Sequence, residues 1–305
     1  MKKVILSISA MLFVGVAAFA QVVTIPLDPP APNSSYVNQT GTTQDAYVHQ
    51  IGTAQSSSVI QKNANNEADV YQGVNPGEIT LPILGNVSNN NLAEVSQDGK
   101  RNKAFISQNN WRNEAYQTQV GNDNSATIWQ DETQVGSSPV YLALKGEDKA
   151  TQTQTGNNNS ATIDQGTSGN TLPTASVFTG MAPLTASVPQ SPHGRNEATQ
   201  TQNGNYNKAY ASQGGLDNES NQTQTAGAFA SATNSNESNH YQFGNSNIAN
   251  STQTGYRNTE NVLQEGNSNR SYSTQTANSL LSTGNVNLVI QQGTSNLSTV
   301  VQSNH

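Results

Sequence analysis

One seven-residue phrase, Asn-x-Ala-x-(Val/Ile/Gln)-x-Gln, recurs nineteen times in this chain, usually at a step of eleven residues. A fixed internal period constrains architecture before any local propensity does, because each unit buries its face only by stacking on the next. With the leading Asn numbered 0, the phrase begins at 33, 44, 55, 66, 91, 102, 113, 124, 148, 159, 196, 207, 218, 236, 247, 258, 269, 285 and 296. The Gln at +6 never varies, and +2 is Ala eleven times and Ser six, with Glu260 and Asn287 the exceptions. Positions 0, +2, +4 and +6 share one parity, so in a strand they face one way. That face is amide, small, variable, amide, and its regularity places it inside. The other parity carries Glu, Lys, Thr, Tyr, Ser and Trp, which suits water.

Thirteen of the eighteen connections are uninterrupted, and +8 is Gly in eleven of them, with Asn63 and Asn110 in the other two. Gly and Asn accept positive φ most readily, so each phrase ends in a tight bend. Among these turn glycines are Gly99, Gly121, Gly156, Gly204, Gly215, Gly244, Gly255, Gly266 and Gly293. Position +4 alternates along Ile106, Gln117, Ile128, Gln152 and Ile163, and Thr recurs at +5 of every second phrase from Thr118. Like strands therefore lie over like strands in a 22-residue coil of two. The expected fold is all-β: a β-solenoid with two parallel strands per coil, spanning 33–304. Five insertions, at 73–90, 131–147, 166–195, 225–235 and 276–284, read as loops that leave strand order intact.

Residues 1–20 read as a secretory signal peptide: Lys2 and Lys3, an apolar Val4–Val16, and Ala18-Phe19-Ala20 at the cleavage site. A Pro-rich leader, 21–32, follows. Only 32% of residues are hydrophobic, a composition that alone would predict disorder. The repeat overrides that prior, since Asn and Gln can pair amide to amide with identical neighbours above and below. The ladder residues on this reading are Asn91, Gln97, Asn102, Gln108, Asn113, Gln119, Asn124, Gln130, Asn159, Gln165, Asn196, Gln202, Asn207, Gln213, Asn247, Gln253, Asn258, Gln264, Asn296 and Gln302. Cysteine is absent, so stacking rather than disulfides must hold this chain. The first phrase follows the short leader and the last stops three residues from the C-terminus, so both ends of the stack are expected to present open strand edges that template further chains.

Other function classes fit poorly. A net charge of −7 with scattered basic residues argues against nucleic acid. The acidic pairs Asp131-Glu132 and Glu147-Asp148 have no catalytic partner, and His49, His193, His240 and His305 share no spacing, so no catalysis, metal or cofactor is expected. The Gly-Gly-x-Gly-x-Asp calcium repeat is missing. A monomeric surface-binding solenoid, ice-binding or adhesive, is the alternative, because a Thr column could form a flat array. Charged +1 residues Lys103, Glu114, Lys149, Glu197, Lys208 and Glu219 are solvated by parity, and beside the ladder they could act as gatekeepers against premature aggregation.

The phrase resembles the curlin repeat, Ser/Asn-x5-Gln-x-Gly-x-x-Asn-x-Ala-x3-Gln. Asn113 to Gln130 fits it throughout, and Asn247 to Gln264 fits except at Thr259-Glu260, where Glu replaces the alanine. The resemblance extends from Asn33 to Gln302. It implies a subunit of a curli-like extracellular functional amyloid, exported unfolded and polymerised at the cell surface for adhesion and biofilm matrix. Its implied partners are further copies of itself joined head to tail, other curlin-repeat subunits, an outer-membrane secretion pore and periplasmic accessory factors.

Overall fold

Inward residues are buried and outward ones more exposed at alternate positions of nearly every phrase, and each phrase is a strand. In Ser125–Gln130, for example, Ala126, Ile128 and Gln130 are buried while Ser125 is exposed. The computed structural model describes residues 32–73, 90–109, 111–130, 146–166, 194–281 and 283–304. The expected signal segment 1–20, residues 21–31 of the leader, Asn110, and residues 74–89, 131–145 and 167–193 of the first three insertions lie outside the described residues.

In chain order the strands are β1 (Ser34–Thr42), β2 (Asp45–Gln50), β3 (Ser56–Ala64), β4 (Glu67–Gln72), β5 (Leu92–Lys100) and β6 (Lys103–Gln108). There follow β7 (Glu114–Asn122), β8 (Ser125–Gln130), β9 (Lys149–Thr155), β10 (Ser160–Gln165), β11 (Glu197–Asn203), β12 (Lys208–Leu216) and β13 (Glu219–Ala226). The last are β14 (Glu237–Asn245), β15 (Ile248–Gly255), β16 (Thr259–Asn267), β17 (Arg270–Ala277), β18 (Val286–Thr294) and β19 (Leu297–Asn304). Odd strands form one ten-stranded sheet and even strands a nine-stranded sheet, each in sequence order. Every pairing is parallel and in phrase register, as in Gln97↔Gln119 and Gln108↔Gln130. The chain is a β-solenoid of two strands per coil, as its period predicts.

All five insertions sit at coil corners. The three longest leave the even sheet after β4, β8 and β10, whereas those at 225–235 and 276–284 leave the odd sheet after β13 and β17. Strand order is unbroken across each of them.

Small +2 residues let the sheets approach, and +4 fills the gap between them. Val59, Val70, Val95, Ile106, Ile128 and Ile163 form an aliphatic core with the Ala columns. Burying each such side chain contributes roughly 1.5–3 kcal/mol before entropy is set against it. Toward the C-terminal end the same positions become polar or small, with a second apolar cluster of Ala249, Val262 and Val289. One departure from simple parity is that outward Ser107, Ser212 and Leu263 are buried. Ser107 lies in register between Tyr71 and Trp129, whose larger rings shade it.

The corners hold a feature that sequence reasoning did not find. The bend glycines do take positive φ, but the residue just before each ladder Asn is left-handed too: Arg101 (φ 56°), Asp123 (φ 57°), Tyr206 (φ 61°) and Ser268 (φ 57°). Each side chain there opposes the left-handed well by about 1–2 kcal/mol. Intercoil bonds hold it in place. Asp123 N–H donates to Lys100 O at 2.9 Å, and Ser268 N–H to Asn245 O at 2.9 Å. Gly at +8 has a second reason besides φ: a Cβ on Gly99 would lie 1.7 Å from the Gly121 carbonyl oxygen of the next coil.

Candidate functional site

Because every +6 residue is Gln and successive coils are in register, the side-chain amides form two continuous files. In the odd sheet Gln39 donates Nε2 to Gln61 Oε1, Gln61 to Gln97, Gln97 to Gln119, Gln119 to Gln154 and Gln154 to Gln202, at 2.8–2.9 Å. The file continues through Gln224, Gln253, Gln275 and Gln302. In the even sheet it runs from Gln50 through Gln72, Gln108, Gln130, Gln165, Gln213, Gln242 and Gln264 to Gln291.

The same Nε2 also donates across the core. Gln97 reaches Glu67 O at 3.0 Å and Gln108 reaches Leu92 O at 2.9 Å. One amide thus ties each coil to the next and one sheet to the other. An unpaired buried amide costs about 1–3 kcal/mol, so a Gln here is tolerable only as a member of a file.

Position 0 forms a second pair of files with the opposite donor direction. Asn113 N–H donates to Asn91 Oδ1 at 2.9 Å, and Asn124 donates both N–H and Nδ2 to Asn102 Oδ1 at 3.1 Å. Asn159, Asn207 and Asn258 continue that corner, while Asn196, Asn247 and Asn296 take up the other. Asp148 stands in for Asn, its Oδ1 accepting N–H and Nδ2 of Asn196. Asn Nδ2 also clamps the bends, as where Asn66 reaches Lys62 O at 2.7 Å and Gly99 O at 3.0 Å. Within the files Gln donates toward the C-terminal coil and Asn toward the N-terminal coil, while Asn Nδ2 also donates to a bend carbonyl of the C-terminal coil, as from Asn102 to Gly121 O at 2.8 Å.

A third file was visible in the sequence only as an alternation. Gln117, Gln152, Gln200 and Gln222 at +4 donate one to the next at 3.0, 2.9 and 2.7 Å. It ends where Ser251 follows in register, and Gln222 turns its Nε2 to Ser238.

On the outer odd face Thr118, Thr153, Thr201, Thr223, Thr252 and Thr274 stand in register as one column. Their +3 neighbours include Tyr116, Asn221, Asn250 and Tyr272, so a regular two-column Thr lattice is not formed. The outer even face carries rings instead, with Tyr47–Tyr71, Tyr71–Phe105 and Phe105–Trp129 centroids 5.4, 5.7 and 4.4 Å apart. Of the charged +1 residues, Lys103 pairs with Glu67 at 3.1 Å and Lys149 with Glu197 at 3.9 Å, both exposed. Among the described residues no cluster of three or more His, Asp or Glu could hold a metal ion.

The two end coils differ. At one end, a groove of about 440 Å³ lies between β18 and β19, lined by Leu288, Val289, Leu297 and Val300 among others. At the other, Val37 and Val48 are half-buried in the first coil. No protein-family model and no curated protein matches this chain.

Proposed function

We propose that the chain is an exported structural subunit that polymerises head to tail into curli-like extracellular amyloid fibres, serving adhesion and biofilm matrix. The observation that carries this reading is the match between its two end coils. Because every Gln file points one way, β18 and β19 end on Gln291 and Gln302 Nε2, and β1 and β2 begin on Gln39 and Gln50 Oε1. The Asn files give the reverse complement at the corners. Nineteen strands make nine and a half coils, so continuing the register one step, with the second copy turned by half a revolution, sets Val289 over its Val37 and Val300 over its Val48. That places two valines where the terminal groove lies open. The same bonds that join coils within a chain would then join chains, which is how stacked β-structure templates itself.

The N-terminal residues supply a signal peptide at 1–20, and the curlin-repeat resemblance adds the rest of the biological setting: periplasmic accessory factors, an outer-membrane pore and other curlin-repeat subunits as partners. Charge and the lack of a basic stripe speak against nucleic acid.

The deciding experiment follows purified mature chain by thioflavin fluorescence and fibre diffraction. Seeded growth with reflections near 4.7–4.8 Å and about 10 Å is the expected result. A chain that stays monodisperse at high concentration overturns the proposal, and one that also shapes ice crystals would favour the surface-binding solenoid.

A further inference from the structure

The seventh to ninth coils contain an arrangement unlike the rest of the core. His240 on β14 and Glu260 on β16 both point inward, one coil apart, and both are 0% exposed. His240 Nδ1 lies 2.9 Å from Ser220 Oγ, while its Nε2 has no hydrogen-bond partner. Glu260 occupies the column that holds Ala in most phrases. Ser251, Ser273 and Asn287 are the polar groups nearest its carboxyl, yet neither oxygen closes a hydrogen bond of ordinary geometry. The strands packed around the pair, β12, β13, β15, β17 and β18, turn only amide, hydroxyl, alanine and valine side chains inward. His240 and Glu260 are therefore the two titratable groups facing this layer, and no opposite charge compensates either.

We propose that the His240–Glu260 layer is a pH gate built into the core, which requires both side chains neutral and so holds β14–β18 firmly in a mildly acidic window and loosens them on either side. A buried charge without a partner is strongly unfavourable, so the group neutralises or the segment opens.

The two directions follow from linkage. Burial pushes the Glu260 carboxyl up to about 8 from 4.5. Its contribution is complete below 4.5 and is lost as pH rises to about 8. Burial pushes the His240 imidazole down to about 3 from 6.5. Its contribution is complete above 6.5 and is lost as pH falls to about 3. Between 4.5 and 6.5 the two proton linkages cancel, giving a plateau. Beyond each edge one proton remains linked over about 1.5 pH units, a roughly 30-fold change in the local closing constant.

The test is hydrogen exchange by mass spectrometry on the full chain from pH 3 to 9, corrected for intrinsic exchange rates. Strands β3–β8, whose inward residues are not titratable, serve as the internal reference. Protection of β14–β18 relative to that reference should be flat from pH 4.5 to 6.5 and fall roughly 30-fold toward pH 8 and toward pH 3. Glu260→Ala restores the usual residue of its column and should abolish the alkaline fall. His240→Val matches Val262 and Val289 and should abolish the acid fall. Protection in β14–β18 that tracks β3–β8 throughout, or an alkaline fall that survives Glu260→Ala, overturns the gate. The gate concerns local opening of one chain, so these outcomes are independent of whether the chain polymerises.

Discussion

Gln154 donates its side-chain amide to Gln202 Oε1 at 2.9 Å although 48 residues of chain separate them, the same contact that Gln97 makes with Gln119 across 22. Register therefore belongs to the ladder and not to the length of the connection. Loop-closure entropy grows only logarithmically, so a long insertion weakens such a contact little.

That relationship predicts the effect of trimming. Replacing residues 166–195 with the four-residue bend found at 120–123 should leave the Gln165–Gln213 and Gln154–Gln202 contacts in place. Stability should change by only about 1 kcal/mol from closure entropy. Loss of strand order in the hydrogen-exchange pattern would count against the ladder as the register-setting element.

Breaking one rung should matter far more. Gln202→Leu removes the acceptor for Gln154 and the donor to Gln224 and Ser160 O. Leaving these buried groups unpaired should destabilise by roughly 1–3 kcal/mol each. Thr201→Val, one residue away on the outer face, should stay within about 0.5 kcal/mol. Equal effects of the two changes on denaturation midpoints would discard the amide argument.

The corners make a paired prediction. At Gly266 (φ 113°) an added Cβ would lie 2.0 Å from the Gly293 carbonyl oxygen, so Gly266→Ala should destabilise on the order of 3 kcal/mol. Ser268 already strains against its left-handed φ of 57°. Ser268→Gly relieves that strain at the expense of chain entropy and should stabilise by about 0.5–1 kcal/mol. Thermal unfolding of the two variants checks the opposite signs.

Neutralising Lys103, Glu114, Lys149, Glu197, Lys208 and Glu219 together should shorten the lag of fibre growth while changing folded stability little. The pairs Lys103–Glu67 and Lys149–Glu197 are exposed, and such pairs contribute about 0–1 kcal/mol. An unchanged lag in seeded and unseeded thioflavin traces would remove the gatekeeper role.

How much of this was legible in the sequence depends on how uniform each column is. The invariant Gln at +6 and the parity of Ala at +2 gave the strands, the inward face and the two-strand coil directly. The left-handed residue before each Asn was hidden because Arg, Asp, Tyr, Ser and Thr all occupy it; intercoil hydrogen bonds, not residue type, select that conformation. The direction of each ladder was hidden for another reason. A side-chain amide carries both donor and acceptor, and only coordinates reveal which way it points. Glu260 stood out in its column, but a carboxylate in a repeat of amides and hydroxyls gives no sign of its unpaired burial.

The corner from which the three longest insertions depart has a consequence of its own. In a head-to-tail fibre each subunit adds nine and a half coils, so equivalent departure points would return about every 45 Å along the axis, on alternate flanks. A peptide grafted into any one of those loops would then be displayed in two files on opposite flanks of the filament, each repeating about every 90 Å, the spacing ruled by the coil count and indifferent to the graft.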